Sequence, residues 1–316
     1  MDTTRPCGCK GIRTCLICEK EYGIIQKDFP NVGKDKNSYV YCPWCNKAWP
    51  GWDVKVDDHP KHVGEPIEFP GIFIQLEFLS KAEEDVLMKG IDEMAWDPSQ
   101  SGRRKQNFGP KCNFKKKKLR LGNFSGFPAF TKFVQEKFNE VDILKGYQTV
   151  EQCSLEYNPD RGASIDPHID DCWVWGERIV TVNLLADSVL TMTPYSGETK
   201  RYNLLDVSTY PSVLDLEGKH KNNEKTCFKV DFSELTHMSD VIVRVPMPRR
   251  SLLVMYGPAR YLWEHSVLRE DVEQRRVCLA YREFTPLYLK DGLHENEGDA
   301  ILDAAKNFWD HKNTTI

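Results

Sequence analysis

The stretch from Leu155 to Asp171 constrains the fold of this chain more than any other. It reads as a short strand ending at Tyr157, a turn through Asn158-Pro159-Asp160-Arg161-Gly162, and then His168 and Asp170 two residues apart. Side chains at i and i+2 of an extended segment leave the same face, so this pair can reach one metal ion. A third ligand must come from far along the chain. His265 is the candidate, because it follows the apolar run Ser251-Leu252-Leu253-Val254-Met255-Tyr256; His220 and His237 sit in a polar stretch or at its edge. Two imidazoles and one carboxylate that leave positions open form the facial set of non-haem Fe(II) oxygenases. Asp166, Asp170 and Asp171 crowd His168, a carboxylate density costly to enclose without a cation, and Asp171 is a rival ligand to Asp170.

Beyond His265 lies Arg275-Arg276-Val277-Cys278-Leu279-Ala280-Tyr281-Arg282. As a strand it sets Arg276, Cys278, Ala280 and Arg282 on one face. Guanidinium forks bind carboxylates bidentately and stay charged when enclosed, so a dicarboxylate co-substrate is expected. Alternation with Arg282 favours Arg276 over Arg275 as the inward cation.

In their order, Tyr157, Pro159, Gly162, His168-x-Asp170, His265 and the Arg276-to-Arg282 strand resemble the AlkB family of Fe(II)- and 2-oxoglutarate-dependent dioxygenases. The opening Cys7-Gly8-Cys9 to Cys15-Leu16-Ile17-Cys18 and the block Ser101-Gly102-Arg103-Arg104-Lys105-Gln106 are similar to its fourth-homologue subgroup. The resemblance covers the N-terminus and roughly residues 66–290. It implies a double-stranded β-helix (jelly roll) in which His168, Asp170 and His265 hold Fe(II). Asp166 and Asp171 would then serve as outer acceptors. Tyr157, Arg276, Cys278 and Arg282 would line the 2-oxoglutarate site, Arg276 on the distal carboxylate. The implied reaction uses O2 to oxidise an N-methyl group, which leaves as formaldehyde while 2-oxoglutarate becomes succinate and CO2. The implied substrates are N6-methyladenine in DNA, monomethyl-lysine on a protein such as actin, or both. Leu155 and Cys278 stand where many members of the family have Asn.

At 316 residues the chain can bury a full core and carry an appendage. A net charge of −4 excludes a generally basic nucleic-acid coat, so any such contact must come from a local patch. No apolar run approaches the roughly 20 residues of a membrane helix, and no signal peptide opens the chain, so no membrane partner and a cytoplasmic and nuclear location are expected. In a reducing compartment the eleven cysteines are thiols or metal ligands before they are disulfides.

Residues 1–65 form a Cys-rich region. Cys15-x-x-Cys18 and Cys42-x-x-Cys45 are spaced as halves of a tetrahedral zinc site, Cys7 and Cys9 offer a competing pair, and His59 and His62 close the region. Which four thiolates would bind is left open. Tyr39, Tyr41, Trp44, Trp49 and Trp52 mark a packed segment. The dioxygenase domain, 66–290, begins with a strand over 71–76. A capping box follows at Ser80-Lys81-Ala82-Glu83, and then a helix with Leu87, Ile91 and Met94 on one face. A second helix is expected over 129–140, with Phe130, Phe133, Val134 and Phe138 buried.

Between the helices, 101–120 carries nine Lys and Arg and no acidic residue. Basic residues with interleaved aromatics suit phosphate contact and base stacking, and the family resemblance implies that Arg103, Arg104, Lys105, Phe108, Lys111 and Phe114 belong to a substrate lid. A solvated loop, or a nuclear-import signal at 115–120, reads the same residues differently. Strands are expected at 152–157, 178–185, 228–232 and 241–245, with an insertion over 187–223. The tail 291–316 holds a short helix near 300–309. Two other classes compete with the enzyme: a non-catalytic binding module on this fold, and a zinc-dependent interaction protein. On the enzymatic reading a chain lacking residues 1–65 keeps its co-substrate chemistry.

Overall fold

Alternation along Arg276–Phe284 sets the architecture. Val277, Leu279 and Tyr281 turn to one side and are fully buried against helices, while Arg276, Cys278 and Arg282 turn to the other. A strand buried on both faces belongs at the centre of a layered structure. The computed structural model describes residues 5–26, 32, 37–221 and 226–310. The rest of the Cys-rich region, the last residues of the 187–223 stretch and the end of the 291–316 tail lie outside them.

In chain order the strands of the two large sheets are β1 (Asn37–Cys42), β2 (Lys47–Pro50), β3 (Ile67–Glu68), β4 (Ile72–Gln75), β5 (Asp97–Pro98), β6 (Arg104–Phe108), β7 (Glu151–Tyr157), β8 (Ile165–His168), β9 (Trp175–Leu184), β10 (Ser188–Pro194), β11 (Val241–Met247), β12 (Leu252–Met255), β13 (Trp263–Val267) and β14 (Arg276–Phe284). One sheet runs β4-β12-β9-β14-β7-β6-β5, the other β8-β13-β10-β11-β1-β2-β3. They meet over a core that includes Tyr157, Met192, Val243, Leu253, Trp263 and Cys278. A second core joins the outer face of the first sheet to helices Lys81–Glu93 and Lys132–Lys137, through Leu87, Ile91, Val134, Phe138, Val180, Leu279 and Tyr281. Each fully buried Leu or Ile there contributes about 1.5–3 kcal/mol. The mainly-β architecture with flanking helices matches the expectation.

The first helix starts as the sequence indicates: Ser80 Oγ accepts from Glu83 N–H at 3.2 Å and Glu83 accepts from Ser80 N–H at 2.7 Å. Glu84, buried on its inner face, takes Arg249 at 2.6 Å and Leu185 N–H at 2.7 Å, tying the helix to the sheet.

Four expectations are corrected. Residues 188–194 are not the start of an insertion but β10, paired with β11 on one side and β13 on the other. Leu190 and Met192 enter the core, and Thr191 Oγ1 accepts from the buried Arg244 at 2.8 Å. Flanking Asp187 and Pro194 disguised a strand-favouring run. Residues 228–232 form no strand. Phe228 and Phe232 instead plug a satellite core against Tyr261 and Tyr195, and a 3-10 helix begins at Phe232, where Asp231 accepts from Ser233 N–H at 2.9 Å. The Cys-rich region is not an appendage, because β1 pairs in parallel with β11 and Tyr41 donates to Ile72 O at 3.1 Å within the core. The C-terminal helix is Glu295–Ala304, earlier than 300–309, and docks through the buried Ile301; Phe308–Trp309 then pairs beside Phe127–Pro128. Among the described residues no helix is long and apolar enough to cross a membrane.

Candidate active site

The antiparallel pairing of β8 with β13 sets His168 directly opposite His265, with ring centroids 4.2 Å apart. Asp170 follows two residues on, and one ligand atom from each of the three lies within 4.8 Å of the others. His168 Nδ1 stands 2.8 Å from the backbone carbonyl of Asp166. A carbonyl only accepts, so Nδ1 carries the proton and Nε2 is left for a metal. The Asp166 carboxylate turns outward to Arg13 at 3.4 Å. Asp171 is no ligand; its carboxylate accepts from Asn203 at 2.8 Å, and burial pushes its pKa up. His220 lies against Asp142 O, and His237 is exposed outside this cluster.

Electrostatics suit a cation at this point. Burial would raise the Asp170 pKa, but the Arg282 guanidinium beside it holds it well below the carboxylate range. Burial pushes both imidazoles down, His265 further because His168 adds to it, so both are in the neutral form that binds metal. Asp170 Oδ1 accepts from Arg282 at 3.1 Å, whereas Oδ2 is buried with no partner. An unpartnered carboxylate oxygen beside two neutral imidazoles is the donor set of a divalent transition metal. The residues therefore fit the iron that the sequence implies.

Arg276 lies deeper. Its guanidinium sits 4.8 Å over the Tyr157 ring and donates to Asn183 Oδ1 at 2.6 Å, while Nη1 is buried without a partner. A charged donor so enclosed suits one end of a dicarboxylate. Burial raises the Tyr157 pKa, so its hydroxyl stays a donor. Cys278 is on the same inner face, opposite Leu155 of β7 and Asn183 of β9. Arg282 donates to Glu151 at 2.6 Å as well as to Asp170, and faces the Trp175 ring at 5.7 Å. Arg275 faces the opposite way, to Glu156 at 2.9 Å and Asp92 at 2.5 Å.

Above the three ligands opens a cleft of ≈ 590 Å³, rimmed by Arg13, Arg103, Lys105 and Arg201, with Phe114 at its mouth. Alternation along β6 divides the expected lid residues. Arg103, Lys105 and Phe114 line the cleft; Arg104 instead pairs with Glu156 at 2.6 Å. Phe108 packs edge-on to Trp309, and Lys111 is exposed beside that same contact. Asn183, Arg260, Arg13 and Arg201 were not anticipated. Arg260, fully buried, donates to Asp170 O at 2.7 Å and fixes the backbone behind the ligand. An Asn or Arg inside a run of apolar strand or helix residues was the available signal for Asn183 and Arg260.

Comparison with known proteins decides the family. No protein-family model matches the chain. It is 38% identical over 309 residues to human "Alpha-ketoglutarate-dependent dioxygenase alkB homolog 4", covering 97% of this chain and 95% of the relative. The chain belongs to the AlkB family of 2-oxoglutarate-dependent dioxygenases. The mouse protein of the same name is 37% identical over 96% of the chain and 94% of its own length. A Caenorhabditis elegans "DNA N6-methyl adenine demethylase" is 30% identical over 94% of the chain and 93% of its own length. This AlkB-family chain is thus a dioxygenase, as its residues led one to expect, and the family implies Fe(II), 2-oxoglutarate and O2 at the site just described.

Proposed function

We propose that the chain is an oxidative N-demethylase on a double-stranded β-helix, with N6-methyladenine in DNA as its substrate. The observation that carries this is the cluster of His168, Asp170 and His265 beneath a cleft rimmed by four cations. Bound there, iron and 2-oxoglutarate supply, from O2, the oxidising power that turns an N-methyl into a hydroxymethyl group, with succinate and CO2 as co-products. The hydroxymethyl amine then releases formaldehyde and the bare amine.

The residues divide the remaining work. His168, Asp170 and His265 hold iron; Arg276, with Tyr157, orients the distal carboxylate of 2-oxoglutarate and Asn183 fixes Arg276. Cys278 borders that co-substrate. Arg282 keeps Asp170 ionised. Arg103, Lys105 and Arg201, with Arg13 beside Asp166, offer cations to phosphates at the cleft, and Phe114 offers a face for stacking an extruded base. A methylated adenine must leave its stack to reach ligands at the base of a cleft, so single-stranded DNA is the better substrate.

The test offers N6-methyladenine oligonucleotide and monomethyl-lysine actin side by side, with iron and 2-oxoglutarate, and measures formaldehyde. Release from the oligonucleotide is expected, with binding that falls with salt at a log–log slope of about −0.7 for each phosphate contact on a single strand. Release from actin alone would replace the nucleic-acid reading with the methyl-lysine one.

A further inference from the structure

The densest groups of metal-ligating side chains outside the cleft lie in the first 62 residues. Cys7, Cys9, Cys15 and Cys18 bring four sulfurs within 4.8 Å of one another, and Cys42, Cys45, His59 and His62 bring two sulfurs and two ring nitrogens within the same limit. We propose that these are two independent structural zinc sites, one of four thiolates and one of two thiolates and two imidazoles. The two Cys-x-x-Cys pairs, spaced as halves of one site, belong to different ones.

Distances carry the assignment. Zinc bonds of about 2.3 Å to sulfur and about 2.05 Å to nitrogen give tetrahedral edges of roughly 3.8 Å between sulfurs, 3.6 Å between sulfur and nitrogen and 3.3 Å between nitrogens. In the second cluster His59 Nδ1 and His62 Nε2 are 3.3 Å apart, Cys42 Sγ is 3.5 Å from His59 Nδ1, and Cys45 Sγ is 3.7 Å from His62 Nε2. In the first, Cys15 and Cys18 are 3.7 Å apart, at the expected edge, while Cys7 and Cys18 at 3.2 Å are closer than that edge and would part slightly around an ion. None of these thiols is in a disulfide. The second cluster also has the outer support that a metal site needs. Trp49 Nε1 donates to Cys45 Sγ at 3.3 Å, Trp44 stacks on His59, and Trp49 stacks on His62. Around the four-thiolate group the apolar core is little more than the thiols and Ile24, so burial of apolar side chains contributes little to holding segment 5–24. Glu19, inside that segment, pairs with Arg269 at 2.7 Å, and Arg13 reaches Asp166 at the cleft, so the four-thiolate site braces the cleft rim. The mixed thiolate–imidazole site closes the turn between β1 and β2, next to the edge strand β3 of the second sheet.

The full chain, purified without chelator, should contain two zinc per chain by elemental analysis in addition to iron. Cys15→Ser and His62→Asn should each lower the count by one. Cobalt in place of zinc should give intense thiolate charge-transfer absorption from the four-thiolate site in His62→Asn, and roughly half that intensity from the mixed site in Cys15→Ser. Should either variant fail to fold, the unaltered chain decides: two cobalt ions with overlapping four-thiolate and two-thiolate spectra support the proposal. One zinc per chain, none, or loss of both from a variant whose circular dichroism is unchanged would overturn it.

Discussion

Arg276 is a cation enclosed between a tyrosine ring, one amide oxygen and the Met247 sulfur, with a donor left over. A carboxylate of the co-substrate would complete it as a buried charge pair. Arg276→Met should therefore raise KM for 2-oxoglutarate about a hundredfold, the effect of removing one partner of a buried charge pair, about 2.7 kcal/mol or more. Asn183→Ala frees the guanidinium to swing and should raise the same KM about tenfold, since a hydrogen bond to a charged group is worth about 1.5 kcal/mol. Both follow from co-substrate titrations at saturating iron. At this scale the ligands and the arginine pair were legible because their spacings, two and six residues, are even numbers on extended segments. Asn183 and Arg260 were not, because a polar residue in a buried run acquires its role from partners on strands distant in sequence.

Glu156 governs the outer face of β7. Its carboxylate takes Arg104 at 2.6 Å, Arg275 at 2.9 Å and Arg161, so three segments converge on it. Burial alone would raise its pKa; the three guanidiniums lower it from 4.5 to about 2. A depressed carboxylate contributes stability that is complete above the unfolded pKa and lost as pH falls through the folded one, here from about 4.5 down to about 2. The contribution is about 3 kcal/mol at neutral pH. Urea titrations should show Glu156→Gln destabilised by roughly that amount at pH 7, with the difference from the unaltered chain vanishing near pH 2. Equal destabilisation at both pH values would show that packing is at work instead of charge. Periodicity found β7, β9 and β14, whose faces differ sharply. It missed β10, where punctuating residues resemble a loop, and placed a strand at 228–232, where aromatic side chains pack without pairing.

Across the whole molecule the Cys-rich segment and the catalytic layers are one folding unit. β1 completes the pairing of β11, and Tyr41 is buried beneath β4. A chain lacking residues 1–65 should therefore expose the edge of β11 and aggregate, with no soluble succinate-forming enzyme recovered; that reverses the expectation from sequence, which could not show that β1 pairs with a strand some two hundred residues later. Neighbouring strands β8 and β13 of one sheet bring the three candidate ligands together, and Arg282 of the other sheet reaches Asp170 among them. The most direct measurement is anaerobic titration of the full chain with Fe(II) and then 2-oxoglutarate, following the visible charge-transfer band that forms when a 2-oxo acid chelates protein-bound ferrous iron. One equivalent of each should complete the band in the unaltered chain, and His265→Ala should abolish it while leaving circular dichroism unchanged. An undiminished band in His265→Ala, or none in the unaltered protein, would contradict the three-ligand iron site.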